Sequence, residues 1–104
     1  MRQANIFVHG KLAGCLIEQE AGGYVIEYLT GYQGPPISLT LPIAHQSYQF
    51  KEFPPFFEGL LPEGPQLDAL LRQAKLDKKD YFGQLLTVGE DLVGAVTISK
   101  ATVE

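Results

Sequence analysis

Phe53-Pro54-Pro55-Phe56-Phe57-Glu58-Gly59-Leu60-Leu61-Pro62-Glu63-Gly64-Pro65 is the stretch at which the periodicity of the chain changes. Before it, apolar and polar residues alternate in short runs broken by glycine, the pattern of antiparallel strands. After it, apolar residues recur every three to four positions, the spacing of amphipathic helices. Proline suits the first turn of a helix, where its missing N–H would have no partner anyway, so Pro54-Pro55 predicts a helix start. Phe56, Phe57, Leu60 and Leu61 follow at helical spacing, and Pro62 ends the run. Phe56, Phe57 and Leu60 are expected under the sheet. Leu61 to Pro65 must turn between two helices and is expected at the surface. A rigid, proline-bounded turn loses little entropy on binding, which makes it the first candidate for docking.

Towards the amino terminus, Ile37-Ser38-Leu39-Thr40-Leu41 alternates and predicts a short strand ended by Pro42, while Ile43 to Glu52 reads as irregular. Thr30 to Pro36 is a loop, because Gly31, Gly34, Pro35 and Pro36 suit neither helix nor central strand. Tyr24 to Leu29 alternates, with Tyr24, Ile26 and Tyr28 on one face and Val25, Glu27 and Leu29 on the other. Ala21-Gly22-Gly23 divides it from a strand over Leu12 to Glu20. His9-Gly10 or Gly10-Lys11 then makes a tight turn to a first strand over Asn5 to His9.

Towards the carboxyl terminus, a second helix begins near Pro65. Its Leu67, Leu70, Leu71 and Ala74 fall at i, i+3, i+4 and i+7, a stripe expected to face the core. A third helix starts after Asp77, with Asp77 as the cap and Asp80 as the acid of a capping box. Phe82, Leu85 and Leu86 line its inner side, and Gly89 suits its end. Gly94 to Thr102 forms a last strand with Val96 and Ile98 on one side. Strands, then helices, then a strand make an α+β domain, with about five strands in a small antiparallel-rich sheet packed on two to three short helices.

A chain of 104 residues makes one domain, and 45% hydrophobic with 19% charged residues excludes a disordered composition. Eight basic against twelve acidic side chains give a net charge of −4. No cluster of cations is available for phosphate or lipid headgroups, so direct contact with nucleic acid or a membrane surface is not expected. The amino terminus lacks the apolar core of a signal peptide, and no run approaches a membrane span, which gives a cytoplasmic expectation. The single Cys15 forms no internal disulfide and is expected to be a small buried hydrophobe. Two His and one Cys cannot build a structural zinc site, and nothing implies a cofactor.

No catalytic set assembles either. Gly89-Glu90-Asp91-Leu92-Val93-Gly94 has the glycine spacing of a phosphate loop, but Ala95-Val96 stands where Lys and Ser/Thr belong. Asp80-Tyr81-Phe82-Gly83 reads as a helix start. His9 sits at a turn, and neither it nor His45 has a Ser or Cys beside it in a nucleophile setting. The pairs Glu18/Glu20 and Glu90/Asp91 read as solvated surface. The expectation is a protein without enzymatic activity.

Phe56-Phe57-Glu58-Gly59-Leu60-Leu61-Pro62-Glu63-Gly64-Pro65 resembles the Phe-Phe-Asp-Asn-Leu-Leu-Pro-(Asp/Glu) signature in the amino-terminal subdomain of HipA-type serine/threonine kinases. Val88 to Val96 resembles the Gly-(Arg)-Asp-x-x-Gly-Ala-Val stretch that closes the same subdomain. Val8 to Gly14 is similar to its opening hairpin, and Ser38 to Pro42 to its next strand. HipA proteins continue into a kinase core whose catalytic residues do not occur here. Stand-alone versions of the subdomain, HipS, belong to three-gene toxin–antitoxin systems with a shortened kinase, HipT, and a DNA-binding HipB. The resemblance therefore implies an antitoxin or accessory subunit that binds a HipT-like kinase, with HipB in a ternary complex as a further partner. The residues expected to meet the kinase are Leu61, Pro62, Glu63, Gly64, Pro65 and Gln66, with Glu90 and Asp91 on a second turn. Pro65 stands where some relatives carry a bulky aromatic, and Glu90 where an arginine is frequent. The alternatives are a regulatory fragment of a HipA kinase, or a small ligand-binding domain using the Tyr24/Tyr28 face.

Overall fold

The computed structural model describes residues 2–92 and 94–101. Five strands form one antiparallel sheet: β1 (Gln3–Val8), β2 (Lys11–Glu18), β3 (Tyr24–Tyr28), β4 (Ser47–Phe50) and β5 (Val96–Lys100), in the order β4-β3-β2-β1-β5. Three helices follow β4 in the chain: α1 (Pro55–Glu58), α2 (Gly64–Ala74) and α3 (Tyr81–Val88). The architecture is the expected α+β one. The end of the last strand expected at Thr102 lies outside the described residues.

The first hairpin turns at His9 and Gly10, with φ of 51° and 77°. Two consecutive positive φ values match the twist of the flanking strands, which is why glycine is needed at the second position. One face of the sheet then carries Ala4, Ile6, Val8, Leu16, Ile26, Val96 and Ile98, all buried. Phe57 of α1 and Phe82 and Leu85 of α3 close over that face, and each is fully buried.

Four expectations are corrected. Ile37 to Leu41 is no strand. The Tyr28 hydroxyl takes up its backbone, accepting from the Ile37 N–H at 2.8 Å and donating to the Leu41 carbonyl. The Leu41 N–H bonds back to the Ser38 carbonyl, a turn in place of a ladder partner. The fourth strand is instead Ser47–Phe50, inside the segment expected to be irregular; Tyr48 and Phe50 pair with Ile26 and Tyr24 of β3. The cap of α3 is Asp80, whose carboxylate accepts the Gly83 N–H at 3.1 Å, whereas Asp77 accepts from Lys79 in the preceding turn. Gly83 suits this cap because a Cβ there would lie 2.3 Å from Asp80 Oδ2. Finally, the stripe of α2 is half-exposed: none of its residues is buried.

Two surface readings also change. Cys15 is half-buried, not enclosed, and pairs across the sheet with the exposed Glu27. Burial, then the Glu27 charge, pushes its thiol pKa up. Glu18 is no free surface acid. Arg2 donates two 2.8 Å hydrogen bonds to it and reaches Asp80 at 2.9 Å, while the guanidinium lies 5.1 Å from the centre of the Phe82 ring. Arg2 holds both carboxyls below their ordinary pKa values. This network ties β1 and β2 to the start of α3.

Candidate functional site

Helix α1 is a single turn because Gly59 follows it and the chain tightens there: the Leu60 and Leu61 N–H groups bond to the Phe57 and Glu58 carbonyls. Leu61 therefore points inward and is 9% exposed, part of the hydrophobic core. This corrects the expectation that the whole turn is at the surface. Pro62 is half-buried, and Glu63, Gly64, Pro65 and Gln66 are exposed. Glu63 is the N-cap of α2 by backbone geometry, without a capping side-chain bond. Gly64 has a φ of 59°, which glycine adopts without steric cost.

The second stretch is placed by Gly89. After α3 the chain makes one 3-10 turn, Gly89–Asp91, laid against β5. A Cβ on Gly89 would lie 2.3 Å from the Ile98 carbonyl oxygen, so only glycine permits this approach. Glu90 and Asp91 project from that turn, both exposed.

The fold brings the two stretches to one place. A shallow depression is lined on one side by Gly59 to Glu63 and Gln66, and on the other by Val88 and Leu92. Leu60, Leu61, Pro62, Val88 and Leu92 supply apolar contact, and Glu63, Glu90 and Asp91 put carboxylates on or near its rim. None of the three enters a salt bridge among the described residues, where Arg2 forms the ion pairs. A depression that mixes apolar side chains with Glu63 and Gln66 and carries an acidic rim can seat a mixed surface and attract cationic neighbours. Gly64 and Pro65 do not line the depression, and neither do Glu90 and Asp91 themselves.

Val88 and Leu92 were not singled out in the sequence. Their spacing of four residues is a signal that they share a side, obscured by the glycine and acids between them. The Tyr24/Tyr28 face is turned inward. Tyr28 is buried with its hydroxyl engaged by Ile37 and Leu41, and Tyr24 packs on Phe53 and Phe82 with ring centres 5.3 and 6.4 Å away. His9 is exposed on its turn, and His45 packs edge-on against Tyr48 at 5.9 Å.

Comparison with known proteins identifies the family of the fold. The family model for the HipA N-terminal domain matches residues 4–99. A protein of Haemophilus influenzae is 32% identical over 100 residues, covering 96% of this chain and 93% of its own length. "Putative kinase Y4dM" of Sinorhizobium fredii is 36% identical over 77 residues, or 68% of this chain and 19% of that protein. Among solved structures, the N-terminal domain of HipA toxin superposes with a TM-score of 0.78 at 28% identity, covering 100% of this chain and 96% of that one. The signatures over Phe56–Pro65 and Val88–Val96 thus sit in a matching fold, and the chain belongs to the HipA N-terminal domain family.

Proposed function

We propose that this protein is a HipS-like antitoxin or accessory subunit, which binds a HipT-like serine/threonine kinase in the cytoplasm and neutralises it. The observation that carries the reading is the meeting of the two family signatures at one depression of mixed polar and apolar lining with acids at its edge. The Pro62–Gln66 turn and the Glu90–Asp91 turn present that depression to a partner. Family membership supports the reading, because the same domain occupies a small part of a relative named as a kinase. The protein acts by binding rather than by catalysis, and joins HipB through the kinase rather than through DNA. Its net charge of −4 disfavours direct phosphate contact.

The test is co-expression with the cognate kinase. The two proteins should co-purify, and the growth arrest caused by the kinase should be relieved. Equally poor growth with and without this protein would remove the antitoxin role and leave that of an accessory subunit; failure to co-purify would remove both. The Glu63→Lys/Pro65→Ala double variant should melt like wild type, since both side chains are exposed, and should bind the kinase more weakly. Unchanged binding would move the contact away from this turn.

A further inference from the structure

Residues 28–50 contain no Asp, Glu, Lys or Arg, in a chain that is 19% charged. The large hydrophobic side chains exposed among the described residues all fall in this stretch: Leu39 at 93%, Leu29 at 44% and Ile43 at 40%. Leu39 is the extreme case, and it is held there. Its flanking residues Ile37 and Leu41 are buried, and the one hydroxyl of Tyr28 bonds to both. The Ser38 and Thr40 hydroxyls, on either side of Leu39 in the chain, lie 3.0 Å apart, and the Tyr48 hydroxyl donates to the Pro42 carbonyl. Leu39 is thus an apolar knob on a loop that is already ordered, so little entropy is lost when it is covered.

Beside the knob runs a groove of about 330 Å³, lined chiefly by Thr40, Leu41, Tyr48, Phe50, Pro54 and Phe56. It reaches α1 at Pro55 and Phe56, and the depression described above begins at Gly59, directly after α1. The groove lies at the β4 edge of the sheet and the depression beside the turn packed on β5, and the single turn of α1 links their linings. A standard protein interface uses roughly 20–30 residues a side, which the Pro62–Gln66 turn alone cannot supply. Depletion of charge with exposed apolar and aromatic groups is the composition of an interface centre, whereas anionic polymers and lipid headgroups require cations that this surface lacks.

We infer that the Leu39 knob and its groove form a second contact for the same kinase, linked to the Pro62–Gln66 surface through α1. This rests on the reading of the protein as a kinase partner. The choice of occupant follows from the Sinorhizobium relative, of which the matched segment is only 19%. There a much larger polypeptide is joined to this domain, and an uncharged apolar face is the kind of surface such a neighbour covers.

Leu39→Lys tests it, with Leu39→Met as the conservative control. Because Leu39 is exposed, both variants should melt with wild type. Binding of Leu39→Lys to the cognate kinase should weaken at least about tenfold, as for an interface anchor, while Leu39→Met should bind as wild type does. If wild type binds the kinase and Leu39→Lys binds equally well, this inference fails and the kinase reading stands. If wild type does not bind the kinase at all, both fail together. If the isolated protein is a dimer that Leu39→Lys dissociates while kinase binding is unchanged, the occupant is a second copy and the inference is overturned.

Discussion

Helices α2 and α3 both carry an apolar stripe, but α3 has no charged residue whereas α2 carries Asp68 and Arg72, and the two meet opposite fates. The eight residues of α3 bury Phe82, Gly83, Gln84 and Leu85, whereas the eleven of α2 bury none. The difference lies in what anchors each helix. The cap of α3 is tied through Asp80 and Arg2 to Glu18 of β2, and its Gln84 amide donates to the Asp77 and Lys78 carbonyls of the preceding loop, so its first turn is held both to the sheet and to that loop. Helix α2 enters from the exposed Glu63–Gly64 turn and touches little but α3. Periodicity identifies which side of a helix is apolar; it does not identify what covers that side.

Substitutions can break or sharpen this contrast. The largest effect should come from Phe82→Ala, which removes a fully buried ring and should cost about 3–5 kcal/mol, read from urea unfolding. A loss below about 1 kcal/mol would mean that α3 is no better anchored than α2. Gly89→Ala should come next. The backbone there is ordinary helical, with a φ of −55°, so any loss reflects the contact of the new Cβ with β5. Overpacking of this kind costs about 1–3 kcal/mol. Leu70→Ala in α2 should cost only about 1 kcal/mol, because a half-exposed leucine loses part of the value of a fully buried one.

The smallest effect concerns the Arg2 network. Glu18 and Asp80 have pKa values lowered by Arg2 in the folded protein, so their pairing stabilises the fold at neutral pH. Unfolded Glu and Asp titrate near about 4.3 and 3.9, so this contribution is complete above roughly pH 5 and fades as pH falls through the lower folded values. Wild type should therefore lose melting temperature below about pH 5 more steeply than Arg2→Met. Parallel curves would show that the network does not hold α3 to the sheet.

Much of the fold was legible because local chemistry and tertiary packing agree. The His9-Gly10 turn, the alternation of β3 and the inner face of α3 each follow from residues close in sequence. The failures share a cause: a distant group decided the outcome. Ile37 to Leu41 alternates like a strand, but a tyrosine on β3 satisfies its backbone, and Ser47–Phe50, whose polar–aromatic alternation was the available signal, pairs in its place. The α2 stripe reads as core, yet among the described elements α3 is its main neighbour and the stripe stays half-exposed. Of the candidate site, the Pro62–Gln66 turn and the Glu90–Asp91 turn were visible as separate surface turns. Their meeting depends on Gly89 lying against Ile98, a contact that no local pattern encodes, and the inward turn of Leu61 depends on the tightened end of α1.

The central claim is that this member of the HipA N-terminal domain family neutralises a kinase by binding it. The most direct measurement is phosphotransfer by the cognate HipT-like kinase, titrated with the purified protein. The account predicts that activity falls with each addition and levels off near one protein per kinase. Activity that stays unchanged at a large excess, with the complex nonetheless formed, would contradict it.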